Sequence, residues 1–291
     1  MIWLASHQDE VTAQHTGEER RERGRSFTGE RLPDDDPRFR ADLARHLAAY
    51  HLARRYCTGK LVLDAGCGEG YGAALLAGVA RRVVGVDRSL LALAHARRQQ
   101  ARPNLEFVCA DLERLGALSE RFGVVCNFQV IEHLREPSGL LRAFAEHLAD
   151  DGQLILTTPN RLMSFSENPY HAREYTAEEL AELLRRFFSR VDIHGVAGSA
   201  KVTAYEASRR RQVERLLRLD PLGLRRLLPE PVVRWAFARL ARIVRKRVAG
   251  DEGQRLDIEP DDFFEQSSAD RALDLLAICR LPRVTATLPG G

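Results

Sequence analysis

A chain of 291 residues, 44% hydrophobic and 29% charged, has the composition of a soluble globular protein with one large domain, or one domain and an added module. The apolar start Ile2–Ala5 is too short for a secretory core, and no run approaches the roughly 18 apolar residues of a membrane span, so a cytoplasmic location is expected. Five scattered cysteines without a CxxC pair argue against a zinc site or a disulfide frame, and the net charge of +3 hides thirteen Arg or Lys against four acids between Glu206 and Val248.

Residues 1–40 are polar and are expected to form a flexible arm or lid. Leu43, Leu47, Tyr50 and Leu52 or Ala53 recur at helical spacing and predict a helix over 42–57. Short runs rich in Val, Ile, Leu and Phe then predict strands at 61–64, 82–87, 105–110, 124–128 and 153–157. Helices are expected between them, at 89–100 with Ser89 as N-cap and at 137–148. Asp150-Asp151-Gly152 reads as a turn, Thr176 to Glu179 as a capping box opening a helix to Phe188, and 191–196 as a sixth strand.

The basic stretch 206–248 breaks this alternation and reads as two or three helices punctuated by Pro221, Gly223, Pro229 and Pro231. Residues 272–279 follow as a last strand. Apolar strands alternating with helices predict an α/β fold with a mostly parallel sheet of seven strands, helices on both faces, and a helical insert before the last strand. The expected divisions are the arm 1–40, a core 41–198, a basic helical cap 199–265, and a final strand and tail 266–291.

The stretch LVLDAGCGEGYGA, 61–73, places a glycine turn after the first strand, where open α/β sheets bind ligands. Its spacing is D-x-G-x-G-x-G. The dinucleotide fingerprint G-x-G-x-x-G fails, because six-residue windows from Gly66 and Gly68 end in Tyr71 and Ala73. No G-K-[ST] follows, which excludes a P-loop. Asp64 and Glu69 beside the turn suit a ligand with a cationic amine or sulfonium rather than a pyrophosphate.

These residues resemble motif I of the class I S-adenosylmethionine-dependent methyltransferases, whose Rossmann-like fold the alternation also fits. Four further segments match in order: the second strand ending in Asp87, the third ending in Asp111-Leu112, Asn127 to Leu134 after the fourth, and Leu148 to Asn160 at the fifth. The resemblance covers about residues 42–196. It implies S-adenosylmethionine as cofactor, held by Asp64, Gly66, Gly68 and Gly70, by Asp87 on the ribose hydroxyls, by Asp111 and Leu112 at the adenine, and by Asn127 and Gln129 along the methionine portion.

Glu132-His133 follows strand four, where the methyl group should point, and His133 is a candidate general base because imidazole titrates near neutral pH. The same loop resembles that of the quinone-biosynthesis O-methyltransferases, in which the position of Gln129 is an acid that helps bind a divalent metal. Gln129 is uncharged, so neither a metal nor a quinol acceptor is expected. A second polar loop after strand five holds Asn160, Asn168, Tyr170, His171 and Glu174, which are expected to bind the acceptor, with His171 a second catalytic candidate. It resembles bacterial glycan-pathway methyltransferases, and Thr28–Leu32 followed by Arg45–Tyr50 resembles their N-terminal lid.

The expected reaction is O-methylation of a small polar acceptor such as a sugar or lipid-linked glycan. A non-catalytic cofactor- or partner-binding protein, and a methyltransferase acting on RNA or a quinol, stay open beside it. For the amphipathic basic helix near Trp235, a lid role and a peripheral membrane contact through 206–248 are both open. Nucleic acid is the least favoured partner, since no recognised RNA or DNA module is present.

Overall fold

The computed structural model describes residues 39–165, 168–218 and 257–283, with scattered positions between 229 and 244. The arm with Thr28–Leu32, and most of the basic segment beyond Arg218, lie outside the described residues.

Helix α1 (Arg40–Cys57) leads into β1 (Leu61–Ala65), followed by α2 (Tyr71–Ala77), β2 (Arg82–Asp87), α3 (Leu90–Gln99), β3 (Leu105–Cys109) and β4 (Phe122–Phe128). Next come α4 (Ser138–His147), β5 (Leu148–Pro159), α5 (Ala177–Arg185), β6 (Phe188–Gly198) and α6 (Ala200–Leu217), and the chain closes with β7 (Phe263–Gln266) and β8 (Asp274–Pro282). The Ser89 side chain caps α3 by accepting from Ala92 N, and Thr176 and Glu179 form the reciprocal capping box of α5.

One sheet runs in the order β3-β2-β1-β4-β5-β8-β6-β7. Its first five strands are parallel, and β8 is antiparallel to both neighbours. The order reverses between β1 and β4, which fixes the ligand crevice at their carboxyl ends. The strands read as continuous apolar runs because helices cover both faces. Tyr50, Leu76, Leu93 and Phe128 fill one side, and Leu140, Phe144, Leu180 and Phe188 the other.

The sheet has eight strands rather than seven. The extra strand, β7, straddles the boundary expected at 265/266 between the helical cap and the final segment, and pairs antiparallel with β6 at the sheet edge. Four residues, Phe-Phe-Glu-Gln, carry too little alternation to be read as a strand. Asp150-Asp151-Gly152 is no free turn either. It forms a bulge within β5, where Phe122 pairs with Leu148 and Val124 with Gln153. A Cβ on Gly152 would lie 2.8 Å from the Phe122 carbonyl oxygen, so the bulge closes only around glycine.

Helix α1 buries an alanine stripe, Ala44, Ala48 and Ala53, rather than the leucines that marked its period. Small residues let it approach the sheet closely. Tyr50 then reaches past β1, and a Cβ on Gly72 would meet its ring at 2.0 Å. Gly72→Ala is therefore expected to destabilise the fold by about 3 kcal/mol through overpacking. A denaturant midpoint unchanged from wild type would show that α1 and α2 part freely.

Candidate active site

Two cavities meet at the crevice. The first, about 570 Å³, is lined by Gly66, Gly68, Glu69 and Tyr71 of the glycine turn, by Asp87, Asp111 and Leu112 beyond β2 and β3, and by Phe128, Gln129, His133 and Tyr170. The second, about 270 Å³, is lined by Arg45, Asn160, Phe165, Asn168, His171, Glu174, Arg209 and Phe237 among others. His46, Gln129 and His133 line both and form the neck between them.

The glycine turn begins where β1 ends. Gly66 has φ +89°, and a Cβ there would meet Val130 at 2.5 Å. Gly68 has φ +53°, and a Cβ there would meet no protein atom within 4 Å. Close backbone beneath open space is what a ligand-cradling turn requires. The Asp87 carboxylate sits at the cavity wall and accepts from Gly68 N at 3.0 Å and Ser89 N at 2.8 Å. Asp111 accepts from Glu113 N at 3.0 Å, which fixes the short turn carrying Leu112.

Three of the expected cofactor contacts stand back from this cavity. Asp64 is 1% exposed, and the Tyr50 hydroxyl donates to it at 3.2 Å. Gly70, φ +80°, packs against Phe107 and Ala96. Asn127 is fully buried; its amide donates to the Ala65 carbonyl at 2.8 Å, and its Oδ1 has no partner among the described residues.

Gln129 occupies the left-handed region with φ 56°. Such strain persists only where surroundings over-determine it. Here Gln129 N donates to Thr157 O at 2.9 Å, and its side chain donates to Asp274 at 3.2 Å. Arg45 grips the same Asp274 through two hydrogen bonds, at 2.8 and 2.6 Å. Arg209 pairs with Asp42 at 3.3 Å and Glu206 at 3.5 Å. The sequence pointed to Arg45 and His46 only as part of a run resembling an N-terminal lid, and to Arg209 and Asp274 not at all, because the elements that carry these residues are far apart along the chain.

His133 Nδ1 lies 3.1 Å from the Tyr170 carbonyl oxygen. A carbonyl only accepts, so in the neutral imidazole Nδ1 carries the proton and Nε2 the lone pair. His171 Nδ1 lies 2.7 Å from Glu174, and its Nε2 lies 2.9 Å from the Asn168 amide nitrogen. The Ser164 hydroxyl also donates to Glu174. Burial works against the Glu174 charge, but the hydrogen bonds from His171 and Ser164 hold it below the usual carboxylate range. The His133 and His171 rings meet edge to face, centroids 5.2 Å apart.

Glu132 anchors the loop from beneath. Its carbonyl accepts from Ala172 N and Arg173 N, and Thr158 donates to its carboxyl at 3.0 Å. Glu132, His133 and His171 also bring potential metal-ligating atoms within 4.8 Å of one another. Asn168, Glu174, Tyr170 and Thr158 already engage the atoms of this group described above.

Burial pushes the Asp64 carboxyl up to about 7 and that of Glu132 likewise to about 7. An unfolded carboxyl titrates near pH ~4. Between these values the folded chain binds protons that the unfolded chain does not, so this stability is fully present below pH ~4 and is lost as pH rises through about 7. Asp64→Asn keeps an acceptor for Tyr50 and removes the cost of the buried charge. Its melting temperature relative to wild type is expected to rise by roughly 5 °C between pH 5 and pH 8. An unchanged difference across that range would mean that Asp64 ionises as readily in the fold as in the open chain.

A doubly wound sheet, a cavity at its switch point and a second polar cavity joined to it define an α/β domain of the kind that binds ligands at the carboxyl ends of its strands. A methyltransferase domain family matches residues 38–197, and the chain belongs to it, within the class I S-adenosylmethionine-dependent methyltransferases. A Mycobacterium tuberculosis protein named a probable S-adenosylmethionine-dependent methyltransferase is 43% identical over 169 residues, spanning 55% of this chain and 59% of the relative. The chain thus matches about three-fifths of that relative's length.

Among solved structures, a SAM-dependent methyltransferase from Thermotoga maritima superposes with TM-score 0.52 and 14% identity, covering 83% of this chain and 91% of the other. The [4+2]-cyclase SpnF superposes with TM-score 0.50 and 19% identity, covering 80% and 81%. Both likenesses concern the fold, which does not by itself fix the reaction.

Proposed function

We propose that the protein transfers a methyl group from S-adenosylmethionine to a hydroxyl of an uncharged polar acceptor, a sugar or lipid-linked glycan. The observation that carries this reading is the neck, where His133 lines both the donor cavity and the second chamber. The donor fits the residues present: open space above Gly68, a carboxylate at Asp87 for the ribose, and Asp111 with Leu112 for the adenine.

When bound, the donor supplies an electrophilic methyl on a sulfonium. The protein's tasks are to align the acceptor hydroxyl and take up its proton. His133 Nε2 carries the lone pair for that proton, and the Tyr170 carbonyl stabilises the imidazolium through Nδ1–H. His171 has both ring nitrogens engaged by Asn168 and Glu174, which suits it to shaping the acceptor loop.

Charge argues against an anionic acceptor. Asp42, Glu132, Glu174 and Glu206 line the second chamber against Arg45 and Arg209, and carboxylates engage both guanidiniums. A phosphate or carboxylate brought beside the neck would have to break those ion pairs. A lipid-linked acceptor gives the basic segment 206–248 a place at a membrane surface; among the described residues no helix is long and apolar enough to cross one.

The test is methyl transfer from radiolabelled donor to a panel of neutral sugars, glycolipids, sugar phosphates and catechols. Transfer to neutral glycans supports the reading. Transfer confined to sugar phosphates or catechols would overturn the acceptor class, and donor binding without transfer to any acceptor would favour a non-catalytic role.

A further inference from the structure

The neck contains a group that no part of the proposed reaction uses. His46, on α1, lines both cavities. One face of its ring stacks on Tyr50, with centroids 5.6 Å apart and planes at 26°. Tyr71 meets it edge-on at 5.7 Å, and Tyr50 in turn packs edge-on against Phe128 at 4.7 Å. His46, Tyr71 and Phe128 all face the donor cavity. Among the described residues the ring nitrogens of His46 have no hydrogen-bond partner.

We propose that this aromatic wall reads the charge of the donor, favouring the sulfonium of S-adenosylmethionine over the neutral thioether left after transfer. The inference rests on the donor assignment above but not on the identity of the acceptor. A methyl group that is to cross into the second chamber must lie at the neck, so the sulfur that carries it lies beside His46. Aromatic faces attract cations through their quadrupole and do little for a neutral sulfur.

A histidine can serve in such a wall only while uncharged, since an imidazolium would repel a sulfonium. Burial lowers the His46 imidazole to about 4, against the pull of nearby Asp274, so the ring is neutral at physiological pH. Asp274 cannot neutralise the ligand instead, because it is already held by Arg45 and Gln129. The wall would weaken the retention of spent donor and so relieve product inhibition.

The experiment is calorimetric titration of the full chain with S-adenosylmethionine, S-adenosylhomocysteine and sinefungin, whose amine supplies a cation near the sulfur position. His46→Leu and Tyr71→Leu are each expected to weaken S-adenosylmethionine and sinefungin by roughly threefold to tenfold. S-adenosylhomocysteine should stay within about twofold, which also reports that the variant is folded. His46→Phe, which keeps a neutral ring, should retain the wild-type preference. Parallel loss of all three ligands in the leucine variants, or a loss in His46→Phe equal to that in His46→Leu, would overturn the proposal. A wild-type protein that binds none of them would instead overturn the donor assignment, and the wall with it.

Discussion

Asp87→Ala is expected to weaken S-adenosylmethionine and S-adenosylhomocysteine alike by about a hundredfold, the largest single effect on donor binding. The ribose is common to both ligands, so the loss should be equal, unlike that at His46. Asp87 sits at the end of β2 with one oxygen on Gly68 N and the other on Ser89 N. Those contacts aim the carboxylate into the cavity, and each oxygen retains a lone pair for a hydroxyl. Charge-assisted hydrogen bonds to two vicinal hydroxyls contribute about 1.5–3 kcal/mol each, and the lower end of their sum, about 3 kcal/mol, corresponds to the stated magnitude.

The same carboxylate holds the glycine turn, so a loss of affinity alone would not separate turn from ribose. A ligand cycle does. Against a 2′,3′-dideoxyribose analogue of S-adenosylhomocysteine, which lacks both hydroxyls, Asp87→Ala should cost less than about threefold. Isothermal titration with both ligands measures the coupling. An equally large loss with the deoxy ligand would assign Asp87 to the turn and remove it from the ribose.

This contrast also marks what a sequence can reveal. The run 82–87 coincides with β2, and 61–64 falls one residue short of β1, because a strand buried on both faces must be apolar without a break. The glycine turn and the strand-end acids are legible for a similar reason: a short local backbone path sets their geometry. Strand β5 is legible only after its bulge, since Asp150-Asp151-Gly152 has turn chemistry whether it ends a strand or interrupts one.

The neck and the second chamber are a different matter. Arg45 meets Asp274 across 229 positions, and Arg209 meets Asp42 across 167. No local pattern announces such pairs. The Gln129 backbone strain is equally silent, because glutamine has no preference for φ 56°. The donor half of the site is thus written in contiguous motifs, as is the loop from Asn160 to Glu174 on the acceptor side, while the rest of the acceptor half lies in packing between α1, α6 and β8.

Turnover should depend most on His133. His133→Asn is expected to lower the rate of methyl transfer by about a hundredfold to ten-thousandfold, the range of a lost general base, with donor affinity within about twofold of wild type. Asparagine is chosen over alanine because its amide can still donate to the Tyr170 carbonyl, so the 168–175 loop keeps its anchor while the proton acceptor is gone. His171→Ala serves as the comparison. It breaks the contact with Glu174 that shapes the acceptor loop, so it should raise KM for the acceptor more than it lowers kcat.

The pH profile adds a readout that a merely structural role would not move. Loss of a general base leaves proton removal to hydroxide, so the residual rate of His133→Asn should climb roughly tenfold per pH unit above neutrality. A variant that keeps more than about a tenth of wild-type turnover with a flat profile would exclude His133 as the base. His133 would then be a loop anchor, and the acceptor proton would leave to solvent through the second chamber.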